Sequence, residues 1–338
     1  MKKLGVCVIG SGRAGMIHAV NFAKNIPGAY LAAMVDPVAE VAQSACKELQ
    51  IDTYYTDYRQ ALEDKGIDAV VIVTPTKFHM DIAVSAANAG KHILCEKPMA
   101  MTEEECQRMI HAAGENKVAL QIGFMRRFDS GFMRAKEIVE RGDIGDVVMV
   151  RSNTRGPSVP QPWMYDLKAS NGPLAEVGSH DIDTLRWFTG SEFKTVYAVG
   201  GNYRSPDAKE NYPDFYDNVA LVAKFENGMQ GMIDGAQGVG YAYDARVEVL
   251  GTKGCVFIGR LGDDAVVACT ADSKQAVYPL MASWTQLFKQ AYQNEDAAFI
   301  ESIQNATPPK VTGYDGLMAV KVVNAGNASI IEKRIVTL

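Results

Sequence analysis

The stretch VCVIGSGRAG, residues 6–15, decides how the rest of the chain is read. An apolar run leads into Gly10, Gly12 and Gly15, which have the spacing G-x-G-x-x-G. Alone, that spacing is weak, because a glycine-rich turn after any buried strand looks the same. Its context carries the reading. The run AGMIHAVNFAKNI that follows reads as a helix, and AYLAAMVD reads as a second strand that ends on the acidic Asp36. In such a βαβ unit Gly10 permits the tight turn, Gly12 lets backbone approach a pyrophosphate, and Gly15 lets the helix pack on the strand. A helix N-terminus offers unbonded N–H groups and positive potential to phosphates, so Ser11, Arg13 and Ala14 join the glycines as cofactor-side residues. Asp36 can accept both hydroxyls of an adenosine ribose and repels a 2′-phosphate, which predicts NAD as the cofactor in preference to NADP. Arg13 works the other way, as a guanidinium near the ribose that partly tolerates the phosphate.

Two lysines open the chain ahead of this apolar run, as in a secretory signal. The run is short for a signal core and no cleavage-type stretch follows, so the reading is a cytoplasmic strand and turn. The βα rhythm then continues. VAEVAQSACKEL, KFHMDIAVSAANAG and TEEECQRMIHAAGENK read as helices, and DAVVIVTP, KHILCEKP and VALQIGF as strands. Near-continuous apolar strands between turns imply a parallel sheet covered on both faces. Thr102 with Glu105 three residues on is a capping-box pattern.

After Gly123 the pattern changes to strand-like runs with short turns: DVVMVRSNT, FKTVYAVGGNYR, DNVALVAKFENGMQGMIDGAQG, DARVEVLGTKGCVFIG and AVVACTA. Strands grouped in this way predict an α+β domain with an open, mostly antiparallel sheet. The expected division is 1–123 as an α/β Rossmann domain and 124–338 as a substrate-binding and oligomerisation domain. Within the latter, SWTQLFKQAYQNEDAAFIESIQNATPP and GLMAVKVVNAGNASIIEKR read as helices, the second packing back on the first domain.

A length of 338 residues fits two domains, and 47% hydrophobic with 22% charged residues is ordinary globular composition. A formal net charge of -6 offers no footprint for nucleic acid or an anionic membrane, and no run is long enough for a transmembrane helix. The six cysteines show no C-x-x-C pair, which points to reduced core thiols and not to a disulfide framework or zinc site.

Three further stretches carry chemistry. VIVTPTKFH, residues 71–79, ends a parallel strand, where ligands bind, so Thr74, Pro75 and His79 are candidates for the nicotinamide side. A proline-containing turn with an ordinary helical histidine explains His79 equally well. CEKPMA, residues 95–100, places Glu96 and Lys97 at another strand end, at the cofactor edge of the sheet, so both are cofactor-side candidates. A lysine there can hydrogen-bond a substrate hydroxyl and stabilise a developing alkoxide. The plainer alternative is a surface turn. In NGPLAEVGSHDIDTLRWFTG, residues 171–190, Glu176, His180 and Asp183 recur at helical spacing. Imidazole is the side chain best suited to exchange a proton near neutrality, and a carboxylate beside it raises its basicity. A structural cluster or a zinc site would use the same residues. The metal is disfavoured, because hydride transfer needs none when lysine and histidine handle the proton.

The E-K-P motif after a Rossmann fingerprint, followed by a glycine-containing stretch and HDID, resembles the Gfo/Idh/MocA oxidoreductase family over nearly the whole chain. QIGFMRRFD, residues 121–129, and GYAYDARVEVLGTKG, residues 240–254, resemble its inositol 2-dehydrogenase branch. The resemblance implies NAD-dependent oxidation of a cyclic polyol, most closely myo- or scyllo-inositol, to a keto-inositol by an enzyme that assembles as a homotetramer through the open sheet. Lys97 then matches the catalytic lysine and His180 the proton acceptor. Glu176 stands where the branch usually has aspartate, and Asp183 matches a carboxylate that contacts polyol hydroxyls. Arg127 and Tyr243 match substrate-side positions. Trp163, in the proline-rich loop TRGPSVPQPWMYD, covers the nicotinamide or packs on the ring, or is an ordinary packed tryptophan. Asn171-Gly172-Pro173 departs from the commoner glycine run. The alternatives are a sugar dehydrogenase or reductase of the same family, and a non-catalytic NAD-sensing regulator.

Overall fold

The computed structural model of the protein describes residues 3–260, 262, 268–269, 276–277 and 279–338. The opening strand β1 (Leu4–Ile9) is buried from Gly5 onward, as an apolar strand covered on both faces must be. It lies at the centre of a parallel sheet with β2 (Ala29–Val35), β3 (Tyr54–Tyr55), β4 (Ala69–Ile72), β5 (His92–Glu96) and β6 (Leu120–Gly123), in the order β3-β2-β1-β4-β5-β6. The order reverses on either side of β1, so the carboxyl end of β1 is the topological switch point at which such sheets bind ligands. Helices α1 (Arg13–Val20), α2 (Ala39–Leu49), α3 (Tyr58–Glu63), α4 (His79–Asn88) and α5 (Glu103–Glu115) connect the strands. The capping box of α5 is formed in full, Thr102 accepting from Glu105 N and Glu105 accepting from Thr102 N. The two-residue β3 and the short α3 were not expected from the sequence. The first predicted helix stops at Val20 and loosens into a π-helical turn over Asn21–Asn25.

Beyond this sheet come α6 (Ser130–Glu140), α7 (Leu167–Ser170), α8 (Gly172–Glu176) and α9 (Gly178–Thr189). The second sheet joins β7 (Val147–Gly156), β8 (Phe193–Gly201), β9 (Asn218–Phe225), β10 (Gln230–Gln237), β11 (Asp244–Gly251) and β12 (Cys255–Ile258). Its order is β12-β11-β7-β10-β9-β8-β15, after the short pair β13 (Ala268–Cys269) and β14 (Ala276–Val277) and with β15 (Val336–Thr337) at its edge. Only β7 and β10 run parallel; the other pairs are antiparallel. The ENG turn, residues 226–228, joins β9 to β10, with Gly228 at φ +88°. Of the predicted strand AVVACTA, residues 265–271, all but Ala268–Cys269 lies outside the described residues. Cys7, Cys46, Cys95, Cys106 and Cys255 are free thiols, four of them buried, and the side chain of Cys269 lies outside the described residues.

The chain divides into two compact units, Met1–Phe128 with Gln290–Val320, and Asp129–Lys289 with Lys321–Leu338. This differs from the single cut expected after residue 123. The reason is the packing of α11 (Lys289–Gln304), which follows α10 (Trp284–Leu287): Phe299 and Ile300 belong to the same core cluster as Val6, Val8, Leu31 and Ala69. The last helix, α12 (Gly313–Glu332), expected to pack back on the first domain, divides between the units, with residues 313–320 in the first and 321–332 in the second. Gly316 lies against Met99 and Ile122 of the first unit, and Gly326 against Leu174 and Leu221 of the second. No helix among the described residues is long and apolar enough to cross a membrane.

Candidate functional site

In the first unit, the fingerprint loop follows β1 and leads into α1. Gly10 has φ +107°, and a Cβ there would lie 2.5 Å from the Val73 carbonyl oxygen. A Cβ at Gly15 would lie 1.9 Å from the Gly10 carbonyl oxygen. The protein's own backbone therefore demands both glycines. Gly12 is different. Its φ of −71° and ψ of −175° suit any residue, and a Cβ there would meet nothing within 4 Å. The fold does not need glycine at this position, whereas a ligand pressed against the backbone would. Gly12 also caps α1 without any side-chain hydrogen bond, so the N-cap leaves the first N–H groups of α1, those of Arg13 and Ala14 included, open to a ligand. The Arg13 side chain is exposed.

Asp36 sits at the end of β2. Its Oδ2 accepts from Ser11 N at 3.1 Å and its Oδ1 from Val38 N at 3.1 Å, which ties the loop to the strand that would meet the ribose. The hydroxyls of Ser11 and Thr74 are buried and have no hydrogen-bond partner among the described residues. Orphaned hydroxyls are costly unless something completes them, and these two lie on the loops after β1 and β4. The residues present therefore fit a dinucleotide.

His79 is placed otherwise than the nicotinamide-side expectation. It is buried, with Nε2 2.7 Å from the Thr74 carbonyl oxygen and Nδ1 2.9 Å from that of Pro98. Burial lowers its pKa against the pull of these two carbonyls. The neutral ring that burial favours carries one N–H and donates to one of these carbonyls at a time, which seats His79 between Thr74 and the E-K-P turn. Pro75 is exposed beside Thr74. The Lys97–Pro98 peptide is cis. Glu96, at the end of β5, is buried, and its Oε2 accepts from Lys97 N at 2.9 Å. Lys97 itself is half-buried. Arg127 pairs with Asp315 at 2.9 Å, and Asp315 also accepts from Thr312 N and Oγ1 at the start of α12. The guanidinium therefore has a structural partner within the first unit.

In the second unit, α9 carries an unusual density of buried polar groups: His180, Asp181, Asp183 and Arg186 are each no more than 7% exposed. Asp181 Oδ1 accepts from Ser152 Oγ at 2.5 Å and Thr154 Oγ1 at 2.8 Å, which clamps the first turn of α9 to β7. The His180 carbonyl accepts from Thr184 Oγ1 at 2.7 Å. Sequence reasoning missed Asp181, Ser152 and Thr154. A signal was available: the inward face of β7 reads Val150, Ser152, Thr154, Gly156, small and hydroxylated where aliphatics are usual. Glu176 does not share one continuous helix with His180 as expected. It ends α8, and Val177 interrupts the path to α9. His180 and Asp183 do lie on one helix. Tyr243 is buried at the rim of β11, with its ring edge-on to Phe288. Trp163 is 48% exposed.

Fold and site define a class, an NAD-binding oxidoreductase with a Rossmann first unit. Residues 4–124 match the family described as "Oxidoreductase family, NAD-binding Rossmann fold", and residues 132–257 match "GFO/IDH/MocA C-terminal domain". This chain belongs to the Gfo/Idh/MocA oxidoreductase family. It is 35% identical to the scyllo-inositol 2-dehydrogenase (NAD(+)) of Bacillus subtilis, over 93% of this chain and 90% of that one. It is 33% identical to the myo-inositol 2-dehydrogenase of Thermotoga maritima, over 98% and 97%. Among solved structures, the scyllo-inositol dehydrogenase of Lactobacillus casei with bound NAD(H) and scyllo-inositol superposes with a TM-score of 0.91 at 29% identity, covering 99% of each chain.

Proposed function

We propose that this chain oxidises an inositol, myo- or scyllo-, to the corresponding keto-inositol with NAD as cofactor. The observation that carries the reading is the placement of Lys97. It directly follows β5, at the same carboxyl edge of the parallel sheet as the Gly10–Gly15 loop and Thr74. Bound NAD supplies the hydride acceptor. Gly12, the N-terminus of α1 and Ser11 hold its pyrophosphate, Asp36 its adenosine ribose, and Thr74 and Pro75 the nicotinamide side. His180 accepts the hydroxyl proton as the carbinol C–H bond breaks. The Lys97 ammonium orients the hydroxyl and stabilises charge on its oxygen. Glu176 and Asp183 supply carboxylates, the former toward His180 and the latter toward polyol hydroxyls; Trp163, Tyr243 and Arg127 complete the substrate side. A polyol also suits Ser179, the residue before His180, whose buried hydroxyl has no hydrogen-bond partner among the described residues.

The test is NADH formation by the purified protein with a panel of inositols and aldoses, run with NAD and NADP. Inositols turn over, and kcat/KM is higher with NAD. In Asp36→Ser the NAD-to-NADP ratio falls at least about tenfold, since juxtaposed like charges cost several kcal/mol in binding. Silence across inositols and aldoses despite NAD binding would overturn the enzyme in favour of a regulator. Better use of NADP by the wild type would assign the decisive role to Arg13.

We further propose a homotetrameric, cytoplasmic enzyme. The second sheet buries one face, with Ala198, Leu221, Ile233, Ser152, Val247 and Ile258 in register across it. The opposite face carries the row Tyr197, Val222, Met232, Arg151, Glu248 and Phe257. Val222 is 50% and Phe257 75% exposed there. A partly apolar open face of this kind suits subunit contact. Sedimentation at micromolar concentration is expected to give a tetramer mass; a monomer mass would overturn the assembly.

A further inference from the structure

Behind the E-K-P turn, wholly within the first unit, lies a buried charged cluster. His18, on α1, is fully buried. Its Nδ1 lies 2.7 Å from Asp296 Oδ1, and its Nε2 lies 3.2 Å from Glu96 Oε1. The ring also packs edge-on against Tyr292, with centroids 5.4 Å apart. Glu295 and Asp296 of α11 are fully buried, and Asn21 Nδ2 donates to Asp296 Oδ2 at 2.8 Å. Room for the Glu96 carboxylate comes from its register partner on β6: a Cβ at Gly123 would lie 3.0 Å from the Glu96 carboxyl carbon.

The Glu96 carboxylate is therefore a bridge. One oxygen meets the imidazole, and the other accepts from the backbone N–H of Lys97. With both nitrogens facing carboxylate oxygens, the imidazolium form satisfies every contact. Although burial opposes its charging, Asp296 and Glu96 hold the His18 pKa well above its ordinary value. His18, Glu96 and Glu295 are close enough together to hold a metal ion, yet neither His18 nitrogen has a lone pair to spare for one in that form. The cluster instead reads as a brace.

We propose that His18 is a positioning residue for Lys97: held by Asp296, it fixes the Glu96 carboxylate, which fixes the backbone of the lysine. Glu96 cannot turn toward another partner without leaving the buried Nε2–H of His18 unanswered, which holds the turn that launches the Lys97 side chain to this arrangement. Preorganisation of this kind decides rate, because a misplacement of about 1 Å arising far from the chemistry can cost about a hundredfold.

The proposal rests on Lys97 acting as described above, and the test separates the two. In His18→Asn, kcat with NAD and scyllo- or myo-inositol is expected to fall about 10- to 100-fold, while KM for NAD stays within about twofold. In the same variant, without substrate, acylation of Lys97 followed by peptide mass spectrometry is expected to change in rate at least about threefold relative to exposed lysines. Asp296→Asn, which keeps His18 but removes its anchor, gives the same pair of changes and serves if His18→Asn does not fold. A lowered Tm with unchanged kcat and unchanged Lys97 labelling would make the cluster merely structural and overturn the proposal. A lowered kcat with unchanged labelling would overturn the route through Lys97. If the wild type oxidises no inositol, the functional reading has failed, and the labelling comparison alone then decides the positioning role.

Discussion

His180→Ala is expected to lower kcat for inositol oxidation by roughly two to four orders of magnitude, the usual contribution of a positioned general base. An inositol hydroxyl is a weak acid, and water at neutrality is a poor base for it. Expulsion of hydride from carbon requires that the hydroxyl proton leave at nearly the same time. The structure gives His180 a firm seat: the turn that carries it is clamped to β7 through Asp181, Ser152 and Thr154, and its carbonyl takes the Thr184 hydroxyl. Those contacts do not depend on the imidazole. The variant should therefore fold, and its NAD affinity, measured by quenching of protein fluorescence, should stay near that of the wild type. The acidic limb of the pH profile of kcat, where protonation of a general base removes activity, should lose its histidine ionisation. Near wild-type turnover with an unaltered profile would remove His180 from the role of base and leave Lys97 as the candidate. Lys97→Arg is not expected to restore what Lys97→Ala loses, because a planar guanidinium does not place charge as a compact ammonium does.

Clamps of this kind explain what the sequence could and could not say. The Rossmann half was legible because each strand is a short apolar run closed by a turn residue, and because the fingerprint ties three glycines to one helix start. β3 was not, since two residues such as Tyr54 and Tyr55 form no period. Neither was the brace behind Lys97. His18 and Asp296 are 278 positions apart, and in the sequence one is a histidine on a short helix and the other an acid in what reads as a polar helical face. Only the return of α11 to the first sheet makes them neighbours, and nothing local marks that return. The break at Val177 was hidden for a different reason. Glycine at 172 and 178 weakens helix on either side, but the spacing of Glu176 and His180 alone favours one continuous helix. The seat of His79 between two carbonyls was equally invisible, because both are backbone atoms and carry no residue signature.

The fingerprint glycines offer a second large effect, in which stability and binding should separate by position. In Gly15→Ala the new methyl lies 1.9 Å from the Gly10 carbonyl oxygen, a backbone atom that cannot swing aside. Either α1 or the loop must move, and overpacking of this kind costs about 1–3 kcal/mol or more. Thermal unfolding should show a Tm lower by several degrees, at about 2–4 °C per kcal/mol in a domain of this size, and NAD binding should be lost with the geometry of the loop. Gly12→Ala is the contrasting case. Its backbone angles are ordinary and its methyl enters open space, so the Tm of the free protein should be unchanged within about 1 °C. The methyl instead occupies the approach that a pyrophosphate needs, and NAD affinity should fall about 10- to 100-fold, or about 1.4–2.8 kcal/mol. Calorimetric titration with NAD and a melting curve on each variant check both halves. Were Gly12→Ala to bind NAD as tightly as the wild type, the dinucleotide would not pass over this loop, and the assignment of Gly12, Ser11 and the α1 N-terminus to its phosphates would fall. Were Gly12→Ala to lose stability as Gly15→Ala does, glycine at position 12 would answer to the fold and not to the ligand.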